Sequence, residues 1–269
     1  MTRPHDDGSA GDVDYAKLAS GYLNYRRPDF RIQLQIDRAL GDAFTVLNVG
    51  AGAGGYEPAQ CDVTAVEPSA SMRAQRRSAK PAIDATAETL PFADASFDAS
   101  MSTMSVHQWP DLEAGLANMR RVTKGSVVIM TADPALVERF WLNDYAPEVM
   151  STEARRFPAI DRVANALGGE IAVEVVHIPL DCTDGFNQAY YGRPEVLLDG
   201  GARRANSAWS FVGPEVEDRF VHDLRVDLAS GAWDEKYGHL RILPTFDASL
   251  RLVVSRPATP AGLRASRSR

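Results

Sequence analysis

The ten residues Val46-Leu47-Asn48-Val49-Gly50-Ala51-Gly52-Ala53-Gly54-Gly55 (VLNVGAGAGG, residues 46–55) decide the fold. A short apolar run passes directly into a glycine cluster, the pattern of a buried strand that ends in a tight loop at a sheet edge. Glycines let the backbone turn and let a ligand lie against main-chain atoms. A helix is expected after the loop, with its first N–H groups facing a carboxylate or phosphate. The next β-branched run, VTAVE at 63–67, ends in Glu67, 17 residues after Gly50. In doubly wound folds this strand end meets a ribose. A carboxylate is acceptor-only, so it suits a 2′,3′-diol and repels a 2′-phosphate, which points to an unphosphorylated adenosine. Gly50, Gly52 and Gly55 also satisfy the dinucleotide pattern G-x-G-x-x-G, and a ligand-free turn is a third reading of the loop.

Working outward, further β-branched runs occupy residues 97–104, 126–130, 171–178 and 250–255. Between them lie helical periods at 30–40 and at 111–122, where Leu112, Leu116 and Met119 share a face. Asp133-Pro134 reads as an N-cap followed by the first helical residue, opening a helix with Leu136, Val137, Phe140 and Trp141 as its apolar stripe. The alternation predicts an α/β fold, a Rossmann-like doubly wound sheet with helices on both faces. One interval breaks the rhythm. Residues 179–249 separate the last two strands and contain a helical period at Val216, Phe220, Leu224 and Leu228, which predicts a large insertion or cap before the last strand.

The 269 residues are 45% hydrophobic and 24% charged, an ordinary composition for a soluble α/β chain. With 29 basic against 36 acidic residues the net charge is −7, which opposes a phosphate backbone, so no nucleic-acid partner is expected. Cys61 and Cys182 are too few for a zinc cluster or a disulfide framework, and the five histidines show no metal-ligand spacing, so no metal is expected. No apolar run is long enough to span a membrane and the N-terminus does not resemble a signal peptide, so a cytoplasmic protein without a membrane partner is expected, a monomer or homodimer. Residues 1–12 and 257–269 are poor in large apolar side chains and are expected to be disordered.

Downstream of the glycine loop, AETLPF at 87–92 and SFDASMS at 96–102 follow VEPSASM at 66–72. In that order, VLNVGAGAG, VEPSASM, AETLPF and SFDASMS resemble the class I S-adenosylmethionine-dependent methyltransferases, in particular the small-molecule type 11 branch. The resemblance covers roughly residues 12–135. It implies a seven-stranded mixed sheet whose weakest strand is near 82–84, and last strands paired antiparallel. It further implies S-adenosyl-L-methionine as cofactor and S-adenosyl-L-homocysteine as product. By position, Gly50, Ala51, Gly52 and Gly54 border the methionyl part. Glu67, with Pro68 and Met72 beside it, binds the ribose; Thr86, Ala87 and Glu88 line the adenine; and the segment from Ser102 to His107 closes over the reactive end. DYAKLASGYLNYRRPDF resembles the helix that lies across the cofactor, with Tyr22 and Arg26 or Arg27 in place of a Y-x-x-x-R element, an arginine that pairs with the cofactor's carboxylate. Asn48 departs from the family, which commonly has Asp there; the electrostatic help of that Asp is absent or supplied elsewhere.

The resemblance implies methyl transfer by in-line displacement to a small-molecule acceptor, at oxygen or nitrogen, in a domain spanning residues 13–256 with 179–249 conferring acceptor specificity. Such a displacement depends chiefly on alignment in a dry pocket. A base helps if the acceptor is a phenol or enol, and His107 is the candidate by family position, as base or substrate contact; an ordered loop residue is the alternative. Asp181, Asp184, Phe186, Tyr190, Tyr191 and Arg193 are candidates to line the acceptor pocket or else to pack inward, as Trp233 and Tyr237 are. Cys182 reads as a small buried hydrophobe. A protein that binds S-adenosylmethionine without methylating is the alternative from a different class, and a nicotinamide-dependent oxidoreductase rests on the glycine spacing alone.

Overall fold

In the computed structural model, residues 22–76 and 78–258 are described. Six strands form one sheet: β1 (Thr45–Val49), β2 (Asp62–Val66), β3 (Ala99–Thr103), β4 (Val127–Ala132), β5 (Glu170–Pro179) and β6 (Thr245–Arg256), in the order β2-β1-β3-β4-β6-β5. The β1–β2, β1–β3 and β3–β4 pairs are parallel, whereas β6 runs antiparallel to both β4 and β5. The expected antiparallel pairing of the last two strands is therefore present. The seventh strand near 82–84 is not: among the described residues Ile83 makes one isolated parallel bridge to Val66. Its main chain exchanges hydrogen bonds with Ala65 and Glu67 (2.8 and 3.0 Å) and then turns toward the loop at Ala87–Thr89. Pro81 has no N–H to extend the ladder.

The helices of eight or more residues are α1 (Phe30–Leu40), α2 (Leu112–Val122), α3 (Pro147–Arg156), α4 (Ile160–Leu167) and α5 (Pro214–Ser230). Strand alternation sorts them to two faces. Val46, Met101, Val128 and Met130 pack with Ile32 and Ile36 of α1, Val149 and Met150 of α3, and Phe220 and Leu224 of α5. Leu47, Val127 and Ile129 pack with Leu112, Leu116 and Met119 of α2 and Val163 and Leu167 of α4. Asp111 caps α2 by accepting from the Ala114 N–H at 3.0 Å.

Two expected helices differ. The helix opened by Asp133-Pro134 stops at Val137, and Phe140 and Trp141 lie beyond it, with Trp141 edge-on to Trp233 at 5.7 Å between ring centroids. Burying Trp141 there takes precedence over continuing the helical stripe. No helix follows the glycine loop either: residues 50–61 are turns that connect β1 directly to β2. Tyr56 has φ +60°, and Pro58 follows; a left-handed residue and a proline together break helical continuation. The anion-binding role assigned to a helix N-terminus has no helix to perform it.

Residues 180–244, between β5 and β6, fold into short helical turns, α5 and the helix Ala232–Tyr237, and they share the α1 face of the sheet. No helix among the described residues is long and apolar enough to cross a membrane. Residues 1–12 and 259–269, within the termini expected from the sequence to be disordered, lie outside the described residues.

Asp29 joins α1 to this segment. Its fully buried carboxylate accepts from the Arg31 N–H (2.9 Å), from Arg31 Nε and Nη2 (2.9 and 2.7 Å) and from the Thr183 N–H (3.1 Å). Burial alone would raise its pKa, but the hydrogen bonds from the Arg31 side chain and the two backbone amides outweigh it and hold the carboxyl at about 2. Because the folded pKa lies below the unfolded value, its contribution is complete above about pH 4 and is lost as pH falls toward 2. Asp29→Asn is expected to be less stable than wild type by roughly 2 kcal/mol at pH 7, with the difference shrinking below pH 4, as read by urea denaturation at each pH. A difference that persists unchanged at pH 2 would contradict this account.

Candidate active site

The carboxyl ends of β1, β2 and β3 meet at one edge of the sheet, where a cavity of about 630 Å³ opens. One half is built mainly from main chain. Gly50 (φ +66°) starts the loop after β1, and a Cβ there would stand 1.8 Å from Ser105 Oγ, so both conformation and close approach require glycine. Ser105 Oγ accepts from Trp109 Nε1 at 3.1 Å, a bond within the segment after β3 that orients the Ser105 side chain lying against Gly50.

Glu67 is nearly buried at the end of β2. Its Oε2 accepts from the Gly52 N–H at 2.7 Å and its Oε1 from the Ser69 N–H at 2.8 Å. The carboxylate is thereby oriented before any ligand arrives, at the wall where a ribose diol would donate to it. Ala51, Gly54, Pro68, Met72, Thr86, Ala87 and Glu88 line the same half. The cradle fits an adenosyl group: an acceptor pair for the diol, glycines for close main-chain approach, and small residues at 85–87 for a planar base.

Asn48 is fully buried behind the loop, where its Nδ2 donates to Glu57 Oε1 at 3.0 Å. Glu57 is paired with Arg76, whose Nη2 lies 2.9 and 3.0 Å from its two oxygens. The acidic group that is missing at 48 is thus present at 57, but balanced by a buried arginine.

The other half is walled by side chains. Asp184 accepts from Arg26 Nε at 2.6 Å and from the Tyr56 hydroxyl at 3.0 Å. Burial, and secondarily the charge of Asp184, raise the Tyr56 pKa well above the usual phenol value, so the hydroxyl keeps its proton and donates. Across the cavity, α3 contributes Glu153 and Arg156, and Phe157 follows at its end. The His107 ring tilts on the Phe157 ring at 4.5 Å between centroids. Burial raises the Glu153 carboxyl, opposed by the Asn187 amide and by the charges of Arg156 and Arg26.

Most of the sequence-assigned residues meet here: Arg26, Gly50, Ala51, Gly52, Gly54, Glu67, Pro68, Met72, Thr86, Ala87, Glu88 and His107 all line the cavity. The side chain of Tyr22 lies outside the described residues. Ser102 does not reach the cavity. It is fully buried within β3, paired with Ile129, on the strand face of Ser100, which bonds Thr123 at 2.8 Å; Thr103, Met104 and Ser105 reach the cavity instead. Arg27 lines the cavity beside Arg26.

Of the candidates in 181–193, Asp184 and Phe186 line the cavity. Tyr191 donates to the Leu243 carbonyl at 2.6 Å, Arg193 to the Cys182 and Ala189 carbonyls, and exposed Asp181 pairs with Arg31. Trp233 is core. Burial pushes the Cys182 thiol up to about 12, so it stays protonated and packs as a hydrophobe. Sequence reasoning missed Tyr56, Glu153, Arg156 and Asn187. The only signal for Tyr56 was its place six residues after Gly50; α3 carries no motif.

A glycine loop, an acidic second-strand end and a cavity at the carboxyl edge of the strands are the marks of a ligand site in a doubly wound fold. The methyltransferase domain family matches residues 47–130. A solved structure from Anabaena variabilis, assigned as a methyltransferase from an antibiotic biosynthesis pathway, is 30% identical, with a TM-score of 0.80 over 86% of this chain and 98% of that one. The chain belongs to the class I S-adenosylmethionine-dependent methyltransferases, and S-adenosylmethionine is its cofactor. Two more distant structures share the fold. The (4+2)-cyclase SpnF is 18% identical, TM-score 0.54, over 97% of this chain and 99% of that one. Haemonchus contortus phosphoethanolamine N-methyltransferase 2, solved with phosphomonomethylethanolamine and S-adenosylhomocysteine, is 16% identical, TM-score 0.51, over 92% of this chain and 61% of that one. No curated protein matches the chain.

Removing Glu57 leaves the Arg76 guanidinium buried without its counter-charge. Glu57→Ala is expected to cost about 3–5 kcal/mol by urea denaturation, and the double variant Glu57→Ala/Arg76→Met considerably less. Equal losses in the two would show that the pair is not what supports the loop.

Proposed function

We propose that this chain transfers the methyl group of S-adenosylmethionine to an oxygen or nitrogen of a small molecule bound in the second half of the cavity. The observation that carries the reading is the continuity of the two halves. The glycine loop and Glu67 face one end, while Tyr56, Glu153, Asp184 and Phe186 face the other, in one space of about 630 Å³. A sulfonium already carries its leaving group, so the chain's task is to align the acceptor and exclude water.

In this reading Gly50, Ala51, Gly52 and Gly54 lie along the methionyl part, Glu67, Pro68 and Met72 hold the ribose, and Thr86, Ala87 and Glu88 border the adenine. Arg27, next to the Asp184-paired Arg26, is placed to meet the cofactor's carboxylate. His107, set on the Phe157 ring, is an acceptor contact. Residues 13–256 act as one domain in which 179–249 supplies acceptor specificity, since Asp184, Phe186 and Asn187 come from that segment. The two unpaired cysteines suit a cytoplasmic setting.

Asn48 and the fold shared with a cyclase favour one other reading, a protein that holds S-adenosylmethionine without transferring its methyl group. Turnover to S-adenosylhomocysteine with an acceptor would exclude it.

Isothermal titration with S-adenosylmethionine, S-adenosylhomocysteine and NAD(H) tests the site. The first two are expected to bind, and Glu67→Ala to weaken them about 10-fold or more by removing a charged acceptor from the diol. Equal affinity in the variant would remove Glu67 from the ribose site.

A further inference from the structure

Among the described residues Glu153 is a carboxylate of the acceptor half with no cation bonded to it. Asp184 is engaged by Arg26 and Tyr56, whereas the partner of Glu153 is a neutral amide: Asn187 Nδ2 donates to Oε2 at 2.9 Å. That amide cannot be turned round, because its Oδ1 accepts from Trp209 Nε1 at 3.1 Å and an indole N–H only donates. The Asn187 main chain is held as well, its N–H donating to Asn206 Oδ1 at 2.8 Å. The Trp209–Asn187 chain therefore fixes Glu153 with Oε2 as acceptor. Among the described residues Oε1 takes no hydrogen bond, and the residue faces the cavity.

We propose that Glu153 takes the acceptor's proton during methyl transfer and that the reacting group of the acceptor is a phenolic or enolic hydroxyl. The proposal rests on the methyl-transfer reading above. In the step, an electron pair of the acceptor oxygen forms the new O–CH3 bond. The S–CH3 bond breaks with its pair left on sulfur, and the hydroxyl proton passes to Glu153 Oε1. A sulfonium cation, a neutral hydroxyl and a carboxylate become a thioether, a methyl ether and a neutral carboxylic acid, so the charge balances.

The surroundings choose the acceptor class. Burial raises the Glu153 carboxyl, which brings it nearer a phenol at about 10 and makes it a better base than an exposed glutamate. An aliphatic hydroxyl, about as weak an acid as water at about 15.7, remains out of its reach. An amine is a cation near neutral pH, and Arg26, Arg27 and Arg156 line the same cavity beside the sulfonium charge. A carboxylic acid acceptor is already ionised and needs no base. Phe157, Phe186 and Met104 offer apolar walls for a ring.

Among the described residues, the charged and titratable groups facing Glu153 are Arg156 on its own helix, Arg26 before α1, and Asp184, Tyr56 and His107 on the loops around the cavity. A base must be deprotonated to act, so kcat is expected to fall on the acid side as Glu153 gains its proton.

The test uses the full chain with S-adenosylmethionine carrying a labelled methyl group, and a panel of naphthols, hydroxycoumarins, 4-nitrophenol and cyclic 1,3-diketones beside amines and carboxylic acids. Label is expected in the phenol and enol members. Glu153→Gln, which keeps the acceptor oxygen for Asn187, is expected to lower kcat about 100-fold and to lose the acid limb of the pH profile. Its S-adenosylmethionine Kd and melting temperature should stay at wild-type values. A second readout needs no turnover: in the S-adenosylhomocysteine complex, bound 4-nitrophenol should ionise at lower pH in Glu153→Gln than in wild type, because the carboxylate opposes a phenolate. Label confined to amines or carboxylic acids, no phenol or enol labelled while S-adenosylmethionine binds, or an unchanged kcat in Glu153→Gln would each overturn the proposal. Failure of S-adenosylmethionine itself to bind would instead remove the methyl-transfer reading beneath it.

Discussion

The buried carboxylate of Asp184 holds three distant parts of the chain in one arrangement. Arg26 comes from the segment before α1, Tyr56 from the end of the glycine loop, and Asp184 from the turn after β5. Two residues of this cluster are almost inaccessible, Asp184 at 3% and Tyr56 at 5%. An unpaired carboxylate at that depth would be strongly unfavourable, so the arrangement that satisfies it is selected over others. Asp29 repeats the device a few residues away by accepting from Thr183. The turn after β5 is thereby tied to the glycine loop after β1, although the two strands are not neighbours in the sheet.

That tie has a backbone consequence. Tyr56 and Met104 are non-glycine residues with left-handed φ, at +60° and +51°, and both line the cavity. Such conformations cost on the order of 1–3 kcal/mol each and persist where surrounding contacts over-determine them. For Tyr56 those contacts are burial in the core and the hydroxyl bond to Asp184. For Met104 the main chain is anchored by its N–H to the Met130 carbonyl at 2.8 Å. Tyr56 lies in the loop between β1 and β2 and Met104 directly after β3, so both strained positions fall in segments that shape the cavity.

The parts legible in the sequence were those set by local chemistry. Strand β1, the glycine turn, the Glu67 strand end and the apolar face of α2 each follow from residues close together in the chain. The helix expected after Gly55 failed because periodicity beyond a glycine cluster says little about a segment whose fate is set by one buried tyrosine. Ser102 failed on position, since it lies buried inside β3 and the cavity is lined from the strand's carboxyl end onward, by Thr103, Met104 and Ser105. Glu153 was invisible for a different reason. It sits in PEVMSTEARR, an unremarkable amphipathic stretch, and becomes a site residue only because Asn187 and Trp209 fold back onto it.

The same division explains why the cofactor is more readily read than the acceptor. The family match ends at residue 130, and the loops after β1, β2 and β3 that form the adenosyl cradle lie within it. Those loops work largely through backbone geometry and one oriented carboxylate, features that a short pattern of glycines and one acid can encode. The other half of the cavity is drawn from Tyr56 and from residues within 153–208, side chains that meet across long sequence separations. A substitution at Asn187 or Trp209 would leave every family motif intact and still turn the Glu153 carboxylate. The two halves share a cavity but not the physical means by which they are built, the first resting on local backbone geometry and the second on side chains brought together by the fold.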